Sequence, residues 1–569
     1  MIMKNVLSTL CKSGLFLLFT LSFSCKSDPP EASVTIEVDS VYFAMNPMDI
    51  DFDSSELKLI MKSVGEQVES YRAYREIPLP NQVMPALHFN PLPVGFKVPP
   101  ETGPVQWQIP ADIEKPAQEH DLAFMSIPEL ASLLRSGQVT SRELTELYLQ
   151  RLRENDPKLH CVISLTEEYA LDRAAKMDEE MATGEDRGIL HGIPYGIKDL
   201  FAFPGYRTTW GAGAYTDQVI DTKAGVIEKL EDAGAVLIAK LTLGALAMGD
   251  VWYADTTRNP WNLNQGSSGS SAGSAAATAA GLVPFAIGTE TYGSIISPST
   301  RCGVTGLRPT YGRVTRAGAM ALSWSMDKVG PICRSAEDCA IVFDAIRGTD
   351  ENDPTLFETG FDYKQVNLSE LRIGYFKNAF EESYNFQKED NETLRVLRKL
   401  GAKLVPVDLD VELPVDAMVN LLMAEAAAAF DELTRSNRDT LLVRQGEYAW
   451  PALFRAARFM PAVEYIQANR LRTLLIEQYN LLLRDFDVII TPTFEGTQLP
   501  ATNMTGHPVV VVPNGETDNG SRTTICFLGN LFDEATILAV AKAYQDATGF
   551  DEKRPPLFSG GQEQVIPAN

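Results

Sequence analysis

The 569-residue sequence predicts an α/β fold: a large mixed β-sheet covered by helices on both faces, preceded by an N-terminal extension. Two observations predict it. Strand-like and helical patterns alternate at 193–240 and again at 371–409. Largely apolar runs at 281–289 (GLVPFAIGT), 486–493 (FDVIITPT) and 507–513 (HPVVVVP) look like buried strands.

Taken in order, residues 1–24 have the marks of an export signal. Lys4 and Lys12 precede or flank an apolar run at 14–23 that is too short to span a bilayer comfortably. The run ends at Ser24-Cys25, which resembles a bacterial lipoprotein cleavage site with Cys25 as the lipidated residue; an ordinary signal peptide cut nearby is the alternative. Residues 25–120 form an extension. Helical spacing of apolar residues predicts a helix over 54–77, and recurrent prolines over 78–116 predict extended, surface-wrapping chain. A main domain spans 121–550. Ser126 with Glu129 and Thr140 with Glu143 are capping boxes, each opening a helix, the second predicted to stop near Pro157. A third helix covers 167–182. The strand 193–199 carries Lys198 near its end, and a helix over 222–233 passes through Gly234 into a strand over 235–240. SAAATAA at 274–280 is a good helix former. Strand 371–376, helix 391–400 and strand 403–409 repeat the alternation. Residues 411–480 are mostly helical and are expected to supply much of the substrate-specific wall. A closing helix over 531–544 precedes a Pro/Gly-rich end, with a tail at 551–569 expected to be loosely held.

Composition excludes some classes. A net charge of −25 disfavours binding to phosphate backbones, which draws on clustered Lys and Arg. Cysteines at 161, 302, 333, 339 and 526 form no CxxC pattern, and no HExxH occurs, so neither a zinc site nor another metal or organic cofactor is implied. Buried thiols are expected, with Cys333 and Cys339 the nearest pair for a disulfide. None of the 5 histidines sits in a serine-hydrolase context, and His191 reads as structural.

The most specific stretch is 261–309, WNLNQGSSGSSAGSAAATAAGLVPFAIGTETYGSIISPSTRCGVTGLRP. Its small residues permit close backbone approach. It resembles the core of the amidase signature family. Counting back from Gly293-Ser294, the family's Ser-Ser pair falls on Ser270 and Ser271; NPW at 259–261 and CGVTGLRPTYGRV at 302–314 match in register; HGIPYGIKD at 191–199 is similar to the lysine motif and places its lysine at Lys198. The resemblance covers roughly residues 121–546. It implies a small-molecule amide as substrate, Ser294 as nucleophile, Ser270 after a cis peptide bond as proton relay, Lys198 as base and Ser271 in support. It also implies an oxyanion hole of backbone N–H groups within Thr291, Tyr292, Gly293 and Ser294. A lysine can serve as base only if burial lowers its pKa from ~10.4 to about 7.

The sequence departs from the family pattern at several places. Tyr292 stands for a usual glycine, Glu290 for a usual aspartate, Ser268 and Ala272 for common glycines. Ile296 replaces a usual arginine, so the customary acid–arginine pair beside the nucleophile is expected to be lost. Because Lys198, Ser270 and Ser294 all remain, an active, exported amidase is expected, anchored through lipid at Cys25 if the lipoprotein pattern holds. A component like the A subunit of an amidotransferase and a degenerate amidase-fold binding lipoprotein are the alternatives.

Overall fold

The computed structural model describes residues 37–45, 52–381, 383–408 and 411–560. The predicted export signal and Cys25 lie outside them. The chain divides into two compact units, Met1–Leu79 and Pro80–Asn569. Within the first, helix Ser54–Arg75 starts at a capping box in which Asp53 accepts the Ser55 and Glu56 N–H groups and Glu56 reaches back to the Asp53 N–H.

The strands of the second unit are β1 (Val162–Leu165), β2 (Pro194–Lys198), β3 (Val236–Leu241), β4 (Arg258–Asn259), β5 (Asn262–Gly266), β6 (Phe285–Glu290), β7 (Thr305–Arg308), β8 (Lys328–Cys333), β9 (Ile373–Phe376), β10 (Leu404–Val407), β11 (Val488–Pro492), β12 (Val509–Glu516) and β13 (Arg522–Gly529). Eleven of them make one sheet in the order β1-β3-β2-β6-β8-β7-β12-β13-β11-β9-β10, and β4 pairs with β5 apart from it. The sheet is mixed: β2 runs parallel to both β3 and β6, whereas β6–β8, β7–β8 and β12–β13 are antiparallel. Side chains alternate between faces, and both faces are covered. Phe285 and Ile287 of β6 enter one apolar core, while Ala286 between them packs in a second core with Ala275, Ala276 and Ala277 of helix Ala272–Ala279.

The two predicted capping boxes form at Ser126 and Thr140. The second helix stops near Pro157, as predicted. It runs Ser141–Leu159 with the proline in its last turn, and ends where His160 adopts φ 50°. Asp156, just before the proline, accepts the Cys161 and Val162 N–H groups at 2.7 and 2.9 Å and so closes the turn. The C-terminal segment is not loosely held as far as Gly560. Phe558 is buried, its carbonyl accepts from Arg151 at 3.0 Å, and Arg554 pairs with Asp121 at 2.7 Å. The Cys333–Cys339 disulfide does not form: both are free buried thiols, as are Cys161, Cys302 and Cys526.

From Pro80 onward the extension wraps the domain as its prolines predict. Trp107 donates to Asp344 at 3.1 Å, and Phe89 meets the Tyr311 ring edge-on at 5.0 Å. Among the described residues no helix is long and apolar enough to cross a membrane.

Candidate active site

Parallel pairing of β2 with β6 brings Lys198, the last residue of β2, beside Thr289 near the end of β6. Helix Ala272–Ala279 packs on β6 and presents the residues just before it, Ser270 and Ser271, to the same point. Close approach here requires glycine. A Cβ on Gly288 would sit 2.8 Å from Ser271 Oγ, and one on Gly269 would sit 1.9 Å from the Gly249 carbonyl oxygen. The Gly269–Ser270 peptide bond is cis, as the resemblance implies.

Lys198 is fully buried. Its Nζ lies 2.8 Å from Ser270 Oγ, 2.9 Å from Thr289 Oγ1, 3.1 Å from Ser271 Oγ and 3.3 Å from the Thr289 carbonyl oxygen. Every one of these partners is neutral. Burial pulls the Lys198 amine down to about 7, against the more distant Asp327 and Glu290 carboxylates. Ser271 Oγ is itself fixed: it donates to the Thr289 carbonyl at 3.1 Å and accepts the Thr289 N–H at 3.2 Å.

Ser294, almost wholly buried, follows the turn after β6. The Ser271 N–H donates to its carbonyl at 3.1 Å, which ties the two serine segments together. Of the turn residues only Gly293 has positive φ, at 86°; Tyr292 does not, so the tyrosine costs no backbone strain there. Ser268 does adopt φ 61°, the conformation that favours glycine, and its Oγ lies 2.8 Å from Ser297 Oγ. Ala272 simply opens its helix.

The acid–arginine pair that Ile296 precludes is replaced by a different one. Glu290 Oε1 pairs with Arg308 Nη1 at 2.8 Å, both side chains fully buried. The arginine comes from β7, two strands away, with β8 between. Asn503 donates to the same oxygen at 2.9 Å, and Glu290 Oε2 accepts the Ile295 and Ile296 N–H groups at 2.9 and 3.0 Å. Burial alone would raise Glu290, but Arg308 and these donors hold it below the usual range. The turn bearing Ser294 is thereby closed at both ends: Thr291 donates to Asp327 at 2.6 Å, and Ser297 N–H to the Gly293 carbonyl at 2.8 Å. Glu290 is visible in the sequence; its partner is not, because nothing local marks Arg308 as facing it.

His191 is structural, as read. Its Nε2 meets the Met177 carbonyl at 2.9 Å and its Nδ1 accepts the Arg187 N–H at 3.1 Å. Among the described residues no group of His, Cys, Asp and Glu could hold a metal ion.

The fold thus brings a buried amine, ringed by hydroxyls, to a serine-bearing turn held at both ends, the geometry expected from the amidase resemblance. Comparison with known proteins agrees. The Amidase family profile matches residues 143–514, more than half of the chain, and the chain belongs to that family. It is a hydrolase of carbon–nitrogen bonds other than peptide bonds. It is 33% identical over 495 residues to the A subunit of the glutamyl-tRNA(Gln) amidotransferase of Thermoanaerobacter pseudethanolicus, covering 78% of this chain and 99% of that protein. It resembles the native peptide amidase from Stenotrophomonas maltophilia, with TM-score 0.68 and 29% identity over 77% of this chain and 99% of that one. A bacterial aryl acylamidase of the amidase signature family, at 24% identity and TM-score 0.68 over 77% of this chain and 99% of the other, shares the fold.

Proposed function

We propose that the protein hydrolyses a carboxylic amide through an acyl-enzyme on Ser294, with Ser270 as proton relay and Lys198 as base. The observation that carries this is the company Lys198 keeps. A neutral amine has two N–H groups and one lone pair. The N–H groups are accommodated by Thr289 and Ser271, whose own hydroxyl proton is directed to the Thr289 carbonyl. The lone pair is then left for the Ser270 hydroxyl at 2.8 Å. Ser270 passes its proton to Lys198 and takes one from Ser294. Ser294 Oγ bonds to the amide carbon, and the oxyanion is stabilised by backbone N–H groups of the Thr291–Ser294 turn. Collapse expels the amine with a proton returned along the relay; water then releases the acid by the same path.

The test is active-site labelling. A fluorophosphonate should modify wild-type protein on Ser294 and leave Ser294→Ala unmodified, and Ser294→Ala should lose about 10⁴-fold or more in amide turnover. Equal labelling of both would remove Ser294 from the role.

Similarity to the amidotransferase component favours a second reading, in which the chain works with partner subunits. The acidic balance and the signal-like start argue for the exported enzyme. Incorporation of labelled palmitate that is lost in Cys25→Ala would support lipid anchorage; an unlabelled protein retained in the cytoplasm with bound partners would favour the amidotransferase role.

A further inference from the structure

The helix Ala462–Leu483 carries apolar residues on two opposite faces. Its inner face is ordinary. Leu475, Ile476, Tyr479 and Leu483 are buried, and the helix packs on the helices Asn420–Ala429 and Gln498–Thr505. Its outer face is unusual for a surface helix, which normally turns polar side chains to water. Val463, Ile466, Leu474 and Leu481 are each more than half exposed. At about 100° per residue they fall in one stripe with Arg470, Glu477 and Arg484, about 30 Å long. Two residues of the wrapping segment widen this strip. Val94 stands almost fully exposed, its N–H donating to Glu477 Oε1 at 2.9 Å. Leu87, also exposed, shares a cavity wall with Thr473 of the helix. A contiguous exposed apolar strip of this kind marks a contact surface.

The stripe is complementary to itself. Counted outward from the midpoint between Thr473 and Leu474, Arg470 and Glu477 stand four positions away on opposite sides, Ile466 and Leu481 eight, and Val463 and Arg484 eleven. A second copy laid antiparallel about a two-fold axis through that midpoint therefore sets Arg470 against Glu477 of the copy, twice. It also sets Ile466 against Leu481 of the copy, twice, with Leu474 at the axis and Val463 along the stem of Arg484. Arg470 is free for such a pair. It donates to Gln467 Oε1 at 2.8 Å, and among the described residues no carboxylate pairs with it. Glu477 accepts one N–H and has room for more.

We propose that this face is an interface between two copies of the chain, paired isologously with the two Ala462–Leu483 helices antiparallel at its centre. An apolar seam excludes water, and the ion pairs on it fix register and direction. A lone helix pair is small for a stable interface, and Leu87 and Val94 add apolar area on its flanks.

Sedimentation equilibrium of the purified full-length chain tests this. At micromolar concentration the wild type should weigh as two chains. Arg470→Glu sets like charges opposite each other at both symmetric positions and should raise the dimer dissociation constant at least about 10-fold. Ile466→Asp, which puts a charge into the apolar seam, should do the same. Arg470→Glu combined with Glu477→Arg should recover most of the loss, because the exchanged charges again face their opposites. That rescue separates a lost contact from a damaged fold. A wild type that stays a single chain would overturn the proposal, and flotation with phosphatidylcholine vesicles that is lost in Ile466→Asp would then give the face to a lipid surface instead. A dimer indifferent to both single changes, or one that the double exchange does not restore, would overturn it as well.

Discussion

Two lysines, Lys198 on β2 and Lys240 on the adjacent β3, are equally buried and differently employed. Lys240 Nζ lies 2.8 Å from Asp199 Oδ1 and donates to the Arg207 carbonyl and Thr208 Oγ1, each at 2.6 Å. Burial pulls its amine down, and the carboxylate opposes that pull. Lys198 has the same burial with hydroxyls and a carbonyl in place of the carboxylate. Asp199, its own neighbour in sequence, turns away to serve the other lysine and the Thr209 N–H and hydroxyl. Burial alone therefore does not make a base. The difference lies in whether an anion is within contact, and the alternation of side chains along β2 and its exit decides that.

Separate replacement of the lysines should pull the two roles apart. Lys198→Ala should reduce kcat/KM by about 10²–10⁴-fold, the usual worth of a positioned base, with little loss of stability. Steady-state assay beside a thermal melt checks it; a large drop in melting temperature with activity retained would reverse the roles. Lys240→Met should do the opposite. An unpaired Asp199 would cost about 3–5 kcal/mol, read by urea unfolding, while the pH–rate profile of the folded enzyme stays in place. A smaller effect should follow from giving Lys198 the partner Lys240 already has. In Thr289→Asp an anion at about 3 Å should stabilise the ammonium form and displace the acid limb of kcat/KM upward by about 1–3 pH units. An unmoved limb in a folded protein would mean that the limb belongs to another group.

Much of this was legible before the structure. The capping boxes at Ser126 and Thr140 are local chemistry and appear where the residues stand. The buried strands β6, β11 and β12 announce themselves as apolar runs. β7, β8 and β13 do not: TGLR, KVGPIC and RTTICFLG are short or broken by glycine, proline and threonine, and their pairing partners supply what their own sequence lacks. Lys198, Ser270 and Ser294 could be named from motif order, but not the reason the Lys198 amine is pulled down to about 7. That reason is tertiary, since Asp199 is claimed by Lys240 across the β2–β3 pair. Arg308 is the same kind of omission. The local pattern near Ile296 predicted a missing cation, and the fold delivers one from two strands away.

The pH dependence of Ser294 phosphonylation tests the central claim most directly, and a short-chain fluorophosphonate measures it without a known substrate. In the proposed relay Lys198 acts when neutral, so the rate should be low in acid, rise through an apparent pKa of about 7 and level off above it. A rate that is flat between about pH 5 and 9, or that rises instead in the usual carboxylate range near ~4, would contradict it.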